Sequence, residues 1–206
     1  RVVSSSSMSQ RIFSSVSGGT NLAQYYVSST YDTDKGIEPN NYLDRFSGNA
    51  NINMTPSAKI DVNARVGYVT GTTHLGSDYG LGAMAGTLFG SPILAQAVPL
   101  TRGYGFNVPP EVVWSVVDNS QELNRFTGSL TFNHRPTSWF TQRFIAGLDQ
   151  TSEDNQNLNN FVPTEWKPLF SASAAKGSLL QDTRDITYAS GDYSGTAKFD
   201  LTKSLV

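Results

Sequence analysis

The chain has 206 residues, no cysteine and a formal net charge of −2 at pH 7. This length suits one ordinary domain, and the lack of cysteine excludes disulfide and thiolate chemistry. Because the net charge is slightly negative, nucleic acid is not an expected partner. Only 16% of the residues are charged and 38% are hydrophobic. Much of the remainder is Gly, Ser, Thr and Asn, which favours strands and turns over helices.

Seven segments alternate between apolar and polar residues with a period of two, the pattern of strands whose two faces meet different environments. The sequence predicts strands at residues 10–18, 23–32, 42–54, 59–71, 125–133, 139–150 and 183–201. The uncharged run from Gly80 to Leu100 approaches the length of a membrane helix, but glycines and prolines interrupt it. We therefore expect a loop with a short helix there.

The predicted connections alternate in length along the chain. Short ones fall at residues 19–22, 55–58 and 134–138, and longer ones at 33–41, from 72 to about 124, and 151–182. In an antiparallel meander this alternation places all short turns at one end of the sheet and all long loops at the other. That arrangement is typical of outer-membrane β-barrels.

The alternation separates two chemically distinct sets of residues. Phe46, Ala50 and Ile52 belong to an apolar set that the later strands continue. The polar set is predicted to face a water-filled interior, and its members are Asn49, Asn51, Lys59, Asp61, Arg65, Arg143 and Lys198. An aromatic residue followed two positions later by glycine also recurs at Phe46, Phe126 and Tyr193, which suggests one architectural rule for several strands.

Two all-β architectures produce such alternation: a soluble sandwich and a membrane barrel. Three features favour the barrel. The predicted strands match the roughly 9–11 tilted residues that cross a bilayer, the apolar set carries almost no charge, and aromatic residues gather near strand ends. The predicted fold is therefore an antiparallel up-and-down meander, part of a transmembrane β-barrel with long external loops. Gln142 interrupts the apolar set, and we expect it at headgroup depth near a short turn.

No residues combine into a catalytic set, a metal site or a cofactor motif, so the sequence predicts neither an enzyme nor a bound cofactor. In the long loops, four aromatic side chains are candidates for contact with a ligand or a lid protein: Tyr104, Phe106, Trp114 and Trp166. The alternative is that they pack within the loops themselves.

Several stretches resemble the barrel region of SusC/RagA-type TonB-dependent outer-membrane transporters. They are SVSGGTNLAQYYVSSTYDTDKGIEPNN (15–41), RFSGNANINMTPSAKIDVNARVGY (45–68), GSPILAQAVPL (90–100) and NRFTGSLTFNHRPTSWFTQRFIAGLDQ (124–150). The resemblance covers most of the chain, and the order of the pieces is more specific than any single piece.

The resemblance implies a bacterial outer-membrane transporter that imports oligosaccharides, peptides or other bulky nutrients. Its partners would be outer-membrane lipid, a SusD-like lipoprotein, and TonB, reached through an N-terminal region outside this sequence. Such barrels have some twenty-two strands, so we expect residues 1–206 to be an internal segment of about seven strands without signal peptide, plug domain or energy-coupling segment. Its edge strands would pair with the remainder of the barrel or with other copies. Two alternatives stay open: a self-assembling β-rich fibre fragment and a soluble β-sandwich binding module.

Overall fold

The computed structural model describes residues 8–76, 88–104 and 108–199. Seven strands form one antiparallel sheet in which each strand pairs with its neighbours in the sequence, in the order β1 to β7. The strands are β1 (Ser9–Gly19), β2 (Ala23–Lys35), β3 (Tyr42–Ser57), β4 (Ile60–Leu75), β5 (Val117–His134), β6 (Phe140–Asn159) and β7 (Ser178–Ala197). The all-β fold class and the up-and-down meander predicted from the sequence are confirmed.

The strands are longer than the alternation predicts, and nearly all of the extra length lies toward the long loops. β5 begins at Val117 and β6 continues to Asn159, so much of the predicted polar loops is paired strand. These extensions are mostly polar on both faces, which removes the two-residue period that would have revealed them. At the other end, β3 continues to Ser57 through an irregularity between Met54 and Ser57, so the predicted turn at residues 55–58 was wrong by a few residues.

Short turns and long loops lie at opposite ends of the sheet, as predicted. The short connections are residues 20–22, 58–59 and 135–139, and the long ones are 36–41, 76–116 and 160–177. The described part of the second long loop includes the helices α1 (Pro92–Ala97) and α2 (Pro110–Val116). The Ser91 hydroxyl accepts a hydrogen bond from the Leu94 amide and so caps α1, whose first residue is proline.

The predicted short helix in the uncharged run is therefore confirmed for Pro92–Ala97, while residues 77–87 lie outside the described part of the chain. Among the described residues, the helices are all too short or too polar to span a membrane.

The sheet is open at both sides. β1 and β7 are its outermost strands, and every residue of each is exposed. An exposed edge strand of 20 residues, the length of β7, presents a long row of unpaired backbone amides and carbonyls. The architecture therefore leaves two surfaces on which a further strand can pair.

Candidate functional site: two faces of the sheet and a loop cluster

One face of the sheet, here called the apolar face, carries hydrophobic side chains in register across all seven strands. Its two central rows of directly opposed residues are Gly18, Tyr25, Ile52, Ala64, Leu130, Ala146 and Gly191, and Val16, Val27, Ala50, Val66, Gly128, Leu148 and Ala189. No other described residues pack over these side chains, and Ile52 and Leu130 are each 41% exposed. A continuous apolar surface of this extent is characteristic of contact with lipid or with another protein.

The height of the apolar face fits a membrane. On β3 the apolar residues run from Phe46 to Met54, eight steps of about 3.4 Å, or roughly 27 Å along the strand. A tilt of about 40° brings the vertical height to roughly 20 Å, close to the apolar band of about 25 Å on outer-membrane barrels. The upper limit also steps across the sheet, because the aromatic residue of β4, Tyr68, lies two residues closer to the short turns than Thr70, the residue opposite Phe46. Such a stagger accompanies tilted strands.

Tyrosine hydroxyls at both limits of the apolar face point away from its centre. Toward the long loops, Tyr31 donates to Asp44 Oδ1 at 3.2 Å and Tyr68 donates to Asn124 Oδ1 at 3.2 Å. Toward the short turns, Tyr193 donates to Gln142 Oε1 at 3.1 Å. Each ring therefore packs on the apolar side while its hydroxyl reaches a polar margin, the arrangement that amphipathic aromatic side chains adopt at membrane interfaces.

Gln142 itself lies beside the short turn at residues 135–139, where we predicted it. Its side-chain nitrogen is 2.8 Å from His134 Nδ1 and its side-chain oxygen accepts from Tyr193, so both polar atoms of the amide contact neighbouring side chains. The polar interruption of the apolar set thus falls at the margin and leaves the centre apolar.

The repeated aromatic and glycine pair has a simple packing explanation. A Cβ on Gly128 would lie 3.4 Å from the Phe126 ring, and one on Gly48 would lie 3.7 Å from the Phe46 ring. Both rings therefore lean along the strand over the glycine two positions later, which lies on the same face. The third pair differs, since the ring nearest Gly195 is Phe140 on the neighbouring strand.

The opposite face, here called the polar face, carries most of the residues predicted to meet water. Asn51 and Arg65 are directly opposed, and so are Asn49 and Gly67 in the next row. Asp61 and Arg143 lie on the same face, each opposite Asn133 of β5. A few hydrophobic side chains, such as Ile145 and Ile186, also occupy this face.

Two of the predicted interior lysines lie outside the strands. Lys59 is in the turn between β3 and β4, where its Nζ donates to the Pro136 carbonyl oxygen at 2.9 Å. Lys198 follows the end of β7, and its amide donates to the Trp139 carbonyl oxygen at 2.8 Å. Both lysines therefore belong to the short-turn end of the sheet.

Ion pairs connect neighbouring strands across the polar face. Asp32 is buried between two arginines, with Oδ1 2.5 Å from Arg11 Nε and Oδ2 2.9 Å from Arg45 Nη2. Arg125 contacts both oxygens of Asp149, at 3.0 and 2.6 Å. Since the Asp32 cluster joins β1, β2 and β3, it fixes the register of the first three strands.

We expect Asp32→Asn to lower the melting temperature of the protein. The amide keeps the shape of the carboxylate but leaves two guanidinium groups facing each other without a negative charge between them. Asp34→Asn is the matched control, because Asp34 is exposed and forms no ion pair among the described residues. Thermal melts in detergent would check this, and equal melting temperatures for both variants would contradict it.

A hollow of about 320 Å³ lies on the polar face near the centre of the sheet. Its polar lining residues are Asn49, Asn51, Arg65, Gly67, Thr127 and Ser129. Gly67 keeps the floor open, because a Cβ there would lie 2.6 Å from Thr127 Oγ1 and 3.3 Å from Asn49 Oδ1. The hollow therefore depends on three strands being in this register.

The long loops contain a small hydrophobic core of their own, here called the loop cluster. Val112, Val116 and Val162 are buried, and Trp166, Phe170 and Ala175 pack against them. The Asn160 amide donates to the Val116 carbonyl oxygen at 2.7 Å. The loop between β4 and β5 is thereby joined to the loop between β6 and β7.

Arg102 connects the same two loops through its side chain. Its Nη1 lies 2.5 Å from Glu111 Oε1, and its guanidinium carbon is 5.2 Å from the centroid of the Trp166 ring. Arg102 has a left-handed backbone with φ of 52°, which turns the chain after the 3₁₀ turn at Pro99–Thr101. Hydrophobic packing and the contacts of Arg102 therefore both hold these two long loops together.

The structure places three of the four predicted loop aromatics. Trp166 packs on the loop cluster, Trp114 is half-buried on α2, and Tyr104 is half-buried after the 3₁₀ turn. The Trp114 Nε1 atom is buried and has no hydrogen-bond partner in the described part of the chain. Phe106 lies outside the described residues. Packing within the loops thus accounts for much of the Trp166 surface, and contact with a ligand or lid stays a prediction for all four.

The described residues contain no group of three or more His, Asp, Glu or Cys side chains close enough to hold a metal ion. Both histidines lie in strands, although the sequence predicted a long loop at His74 and a short turn at His134. His74 Nδ1 lies 2.9 Å from Asp118 Oδ1, its ring stacks on Tyr42, and His134 ends β5. Residues 152–159, predicted as loop, form the outer part of β6, where successive side chains point to opposite faces.

Comparison with known proteins supports the fold. No protein-family model and no curated protein matches the sequence. A solved structure of the RagAB peptide importer in its closed-closed state is similar over 98% of this chain, with a TM-score of 0.69 and 15% sequence identity. The chain spans 23% of the length of that importer chain. At this identity the likeness concerns the fold: a seven-stranded antiparallel meander that matches part of a β-barrel transporter.

Three features of the site were missed from the sequence: the hollow, the Asp32 cluster and the loop cluster. Each joins residues from separate strands or loops. Gly67 and Thr127, for example, lie 60 positions apart in the sequence. The valines at 112, 113, 116 and 117 were the one visible signal, since apolar residues spaced three to four positions apart are typical of a packed helix.

Proposed function

We propose that this chain is a segment of a TonB-dependent transporter of the bacterial outer membrane, acting in the uptake of bulky nutrients such as peptides or oligosaccharides. The observation that carries the proposal is the apolar face, which is continuous across seven strands and bounded at both margins by tyrosines whose hydroxyls point outward. The polar face then lines a water-filled passage. The fold likeness to a peptide importer supports transport as the activity.

The rest of the barrel is expected to come from outside this sequence. Seven strands are too few for the barrel that the resemblance implies, and the exposed edges of β1 and β7 are suited to receive further strands. In this proposal residues 1–206 form one partial-barrel segment. TonB acts through an N-terminal region elsewhere in the protein, and a SusD-like lipoprotein covers the ends of the long loops, where Trp114 and Trp166 lie.

Single-cysteine labelling of neighbouring residues tests which face meets lipid. Ser129 is on the polar face and Leu130 on the apolar face, both are exposed, and the chain has no cysteine of its own. We expect a spin label at Ser129→Cys to be relaxed by a water-soluble nickel chelate, and one at Leu130→Cys by oxygen dissolved in lipid. The full-length protein in outer-membrane vesicles, with any cysteines outside this chain replaced, is the sample to measure.

Access of the nickel chelate to position 130 would contradict the membrane assignment, because a lipid-facing label is shielded from it. Protection of position 130 from both reagents would indicate cover by protein, as in the soluble β-sandwich. The described residues form one sheet, and none of them covers its apolar face. That arrangement argues against the sandwich.

Self-assembly is a second candidate, favoured by the two exposed edges of the sheet. Copies of the chain pairing edge to edge would form a fibre or tube, with the same alternation of faces. The denatured mass of the native polypeptide separates the two candidates. A mass several times 22.4 kDa, recovered from the cell envelope, supports the transporter, whereas a mass near 22.4 kDa in high-order assemblies supports the fibre.

A further inference from the structure

Arg65 is an exposed cation at the centre of the polar face. In the part of the chain that the structure describes, it forms neither an ion pair nor a hydrogen bond, although Arg11, Arg45, Arg125 and Arg135 on the same side of the sheet are all paired. Its direct neighbours across the sheet are Asn51 on β3 and Ser129 on β5. Neither carries a charge.

The nearest carboxylates on the polar face are already bound by other arginines. Asp61 is four residues away on the same strand, and its Oδ2 lies 2.6 Å from Arg135 Nη2. Asp149 faces Thr127 in the adjacent row and is held at both oxygens by Arg125. The charge of Arg65 is therefore not neutralised by these carboxylates. If Asp61 or Asp149 bound Arg65 instead, Arg135 or Arg125 would lose its own ion-pair partner.

The hollow beside Arg65 offers both space and hydrogen-bonding groups. Asn49, Asn51, Thr127 and Ser129 line it, and the absence of a side chain at Gly67 keeps it open. The orientation of Asn51 is fixed, since its Oδ1 accepts a hydrogen bond from Asn63 Nδ2 at 3.1 Å. A guanidinium presents a planar fork of donors, and a carboxylate is the group that matches this fork with two parallel hydrogen bonds.

We propose that the hollow is a binding subsite for a carboxylate carried by the transported molecule, with Arg65 as its anchor. The amide and hydroxyl side chains around it bind the neutral polar groups next to the carboxylate. This inference rests on the proposed function in one respect, namely that the polar face lines the passage. The carboxylate belongs either to the end of a peptide or to an acidic sugar, and both are suited to the same fork.

Protection of arginines from chemical modification tests the subsite in the full-length protein in detergent. Arg65 and Arg143 are both exposed polar-face arginines without ion pairs among the described residues, but only Arg65 lines the hollow. An arginine-specific dicarbonyl reagent, read by mass spectrometry, reports on each. The probes are N-acetyl-trialanine with a free carboxylate, the same peptide as its amide, and digalacturonate.

We expect a carboxylate probe to protect Arg65 at a concentration about tenfold lower than the amide peptide requires, the lower end of what charge-assisted hydrogen bonds contribute. Arg143 is expected to react at its usual rate in the same samples. Gly67→Leu, which fills the hollow but keeps Arg65, is expected to abolish the protection. Protection by trialanine identifies a peptide terminus as the ligand, and protection by digalacturonate alone identifies an acidic sugar.

Three outcomes would overturn the subsite: equal protection by carboxylate and amide peptides, equal protection of Arg65 and Arg143, or no protection by any probe. An Arg65 that fails to react in the absence of probe would also overturn it, because the hollow would then be closed. These readings do not depend on uptake. If Arg65 is specifically protected but the protein imports nothing, the subsite proposal stands and only the proposed transport function fails.

Discussion

Leu130→Arg is expected to destabilise the full-length protein in lipid by about 2–4 kcal/mol, the cost of an arginine near the bilayer midplane of a β-barrel. Leu130 lies in a central row of the apolar face, between Ala64 on β4 and Ala146 on β6. Neither neighbour is able to neutralise the guanidinium, and the margins of the band are too far for its side chain to reach easily. Urea titration of the protein folded into lipid vesicles measures this change.

Thr131→Arg is the matched control for this prediction. Thr131 is the next residue of β5 and lies on the polar face, opposite Asn63 and Ile145. The same charge there meets water, so we expect the free energy of unfolding to change by less than about 1 kcal/mol, as for ordinary surface substitutions. Equal destabilisation by both variants would show that the two faces have similar surroundings, and the membrane assignment would fail.

Val112→Asp is expected to unfold the loop cluster while leaving the strands intact. Val112 is 1% exposed and packs with Val116 and Val162, so an aspartate there would be buried without a partner. An uncompensated buried charge costs about 3–5 kcal/mol, more than a core of three valines and their neighbours can readily absorb. Hydrogen exchange should then accelerate in α2 and in residues 162–175, with little change in β3 and β4.

Val98→Asp is the control for the loop cluster, because Val98 lies in the same long loop but is 45% exposed. We expect this variant to leave exchange in α2 unchanged. Loss of protection throughout the sheet in Val112→Asp would contradict the idea that the loops form a separate packing unit. If a lid protein or ligand uses Trp166, its binding should weaken in Val112→Asp, since Trp166 would lose the surface that positions it.

The number, order and pairing of the strands were predictable, because each strand carries its own alternation and the connections alternate in length. The strand ends were not. Residues 117–124 and 151–159 are mostly polar on both faces, and they are held as strand by pairing with each other across β5 and β6. A segment that meets water on both sides has no periodic signal, so its structure is decided by its partner strand.

For the candidate site, too, some features were predictable from the sequence and others were not. Asn49, Asn51, Asp61, Arg65 and Arg143 share one face of the sheet. That this face meets a water-filled interior stays a prediction. Lys59 was expected in a strand and lies in a turn, because β4 begins one residue later, at Ile60. Among the loop aromatics, the packing of Trp166 on valines from another loop was not visible in the sequence, since no local pattern links residues so far apart.

The sequence by itself determined which side chains share a face, because the period of a strand is two and needs no partner to be read. It also determined which end of the sheet carries the long loops. The register between strands was decided only in the tertiary structure, by backbone pairing and by ion pairs such as those of Asp32. That register brings Gly67 beside Thr127 and leaves Arg65 without a carboxylate partner among the described residues. The hollow and its unpaired charge are therefore properties of the assembled sheet, since they arise from distances between strands that no single strand encodes.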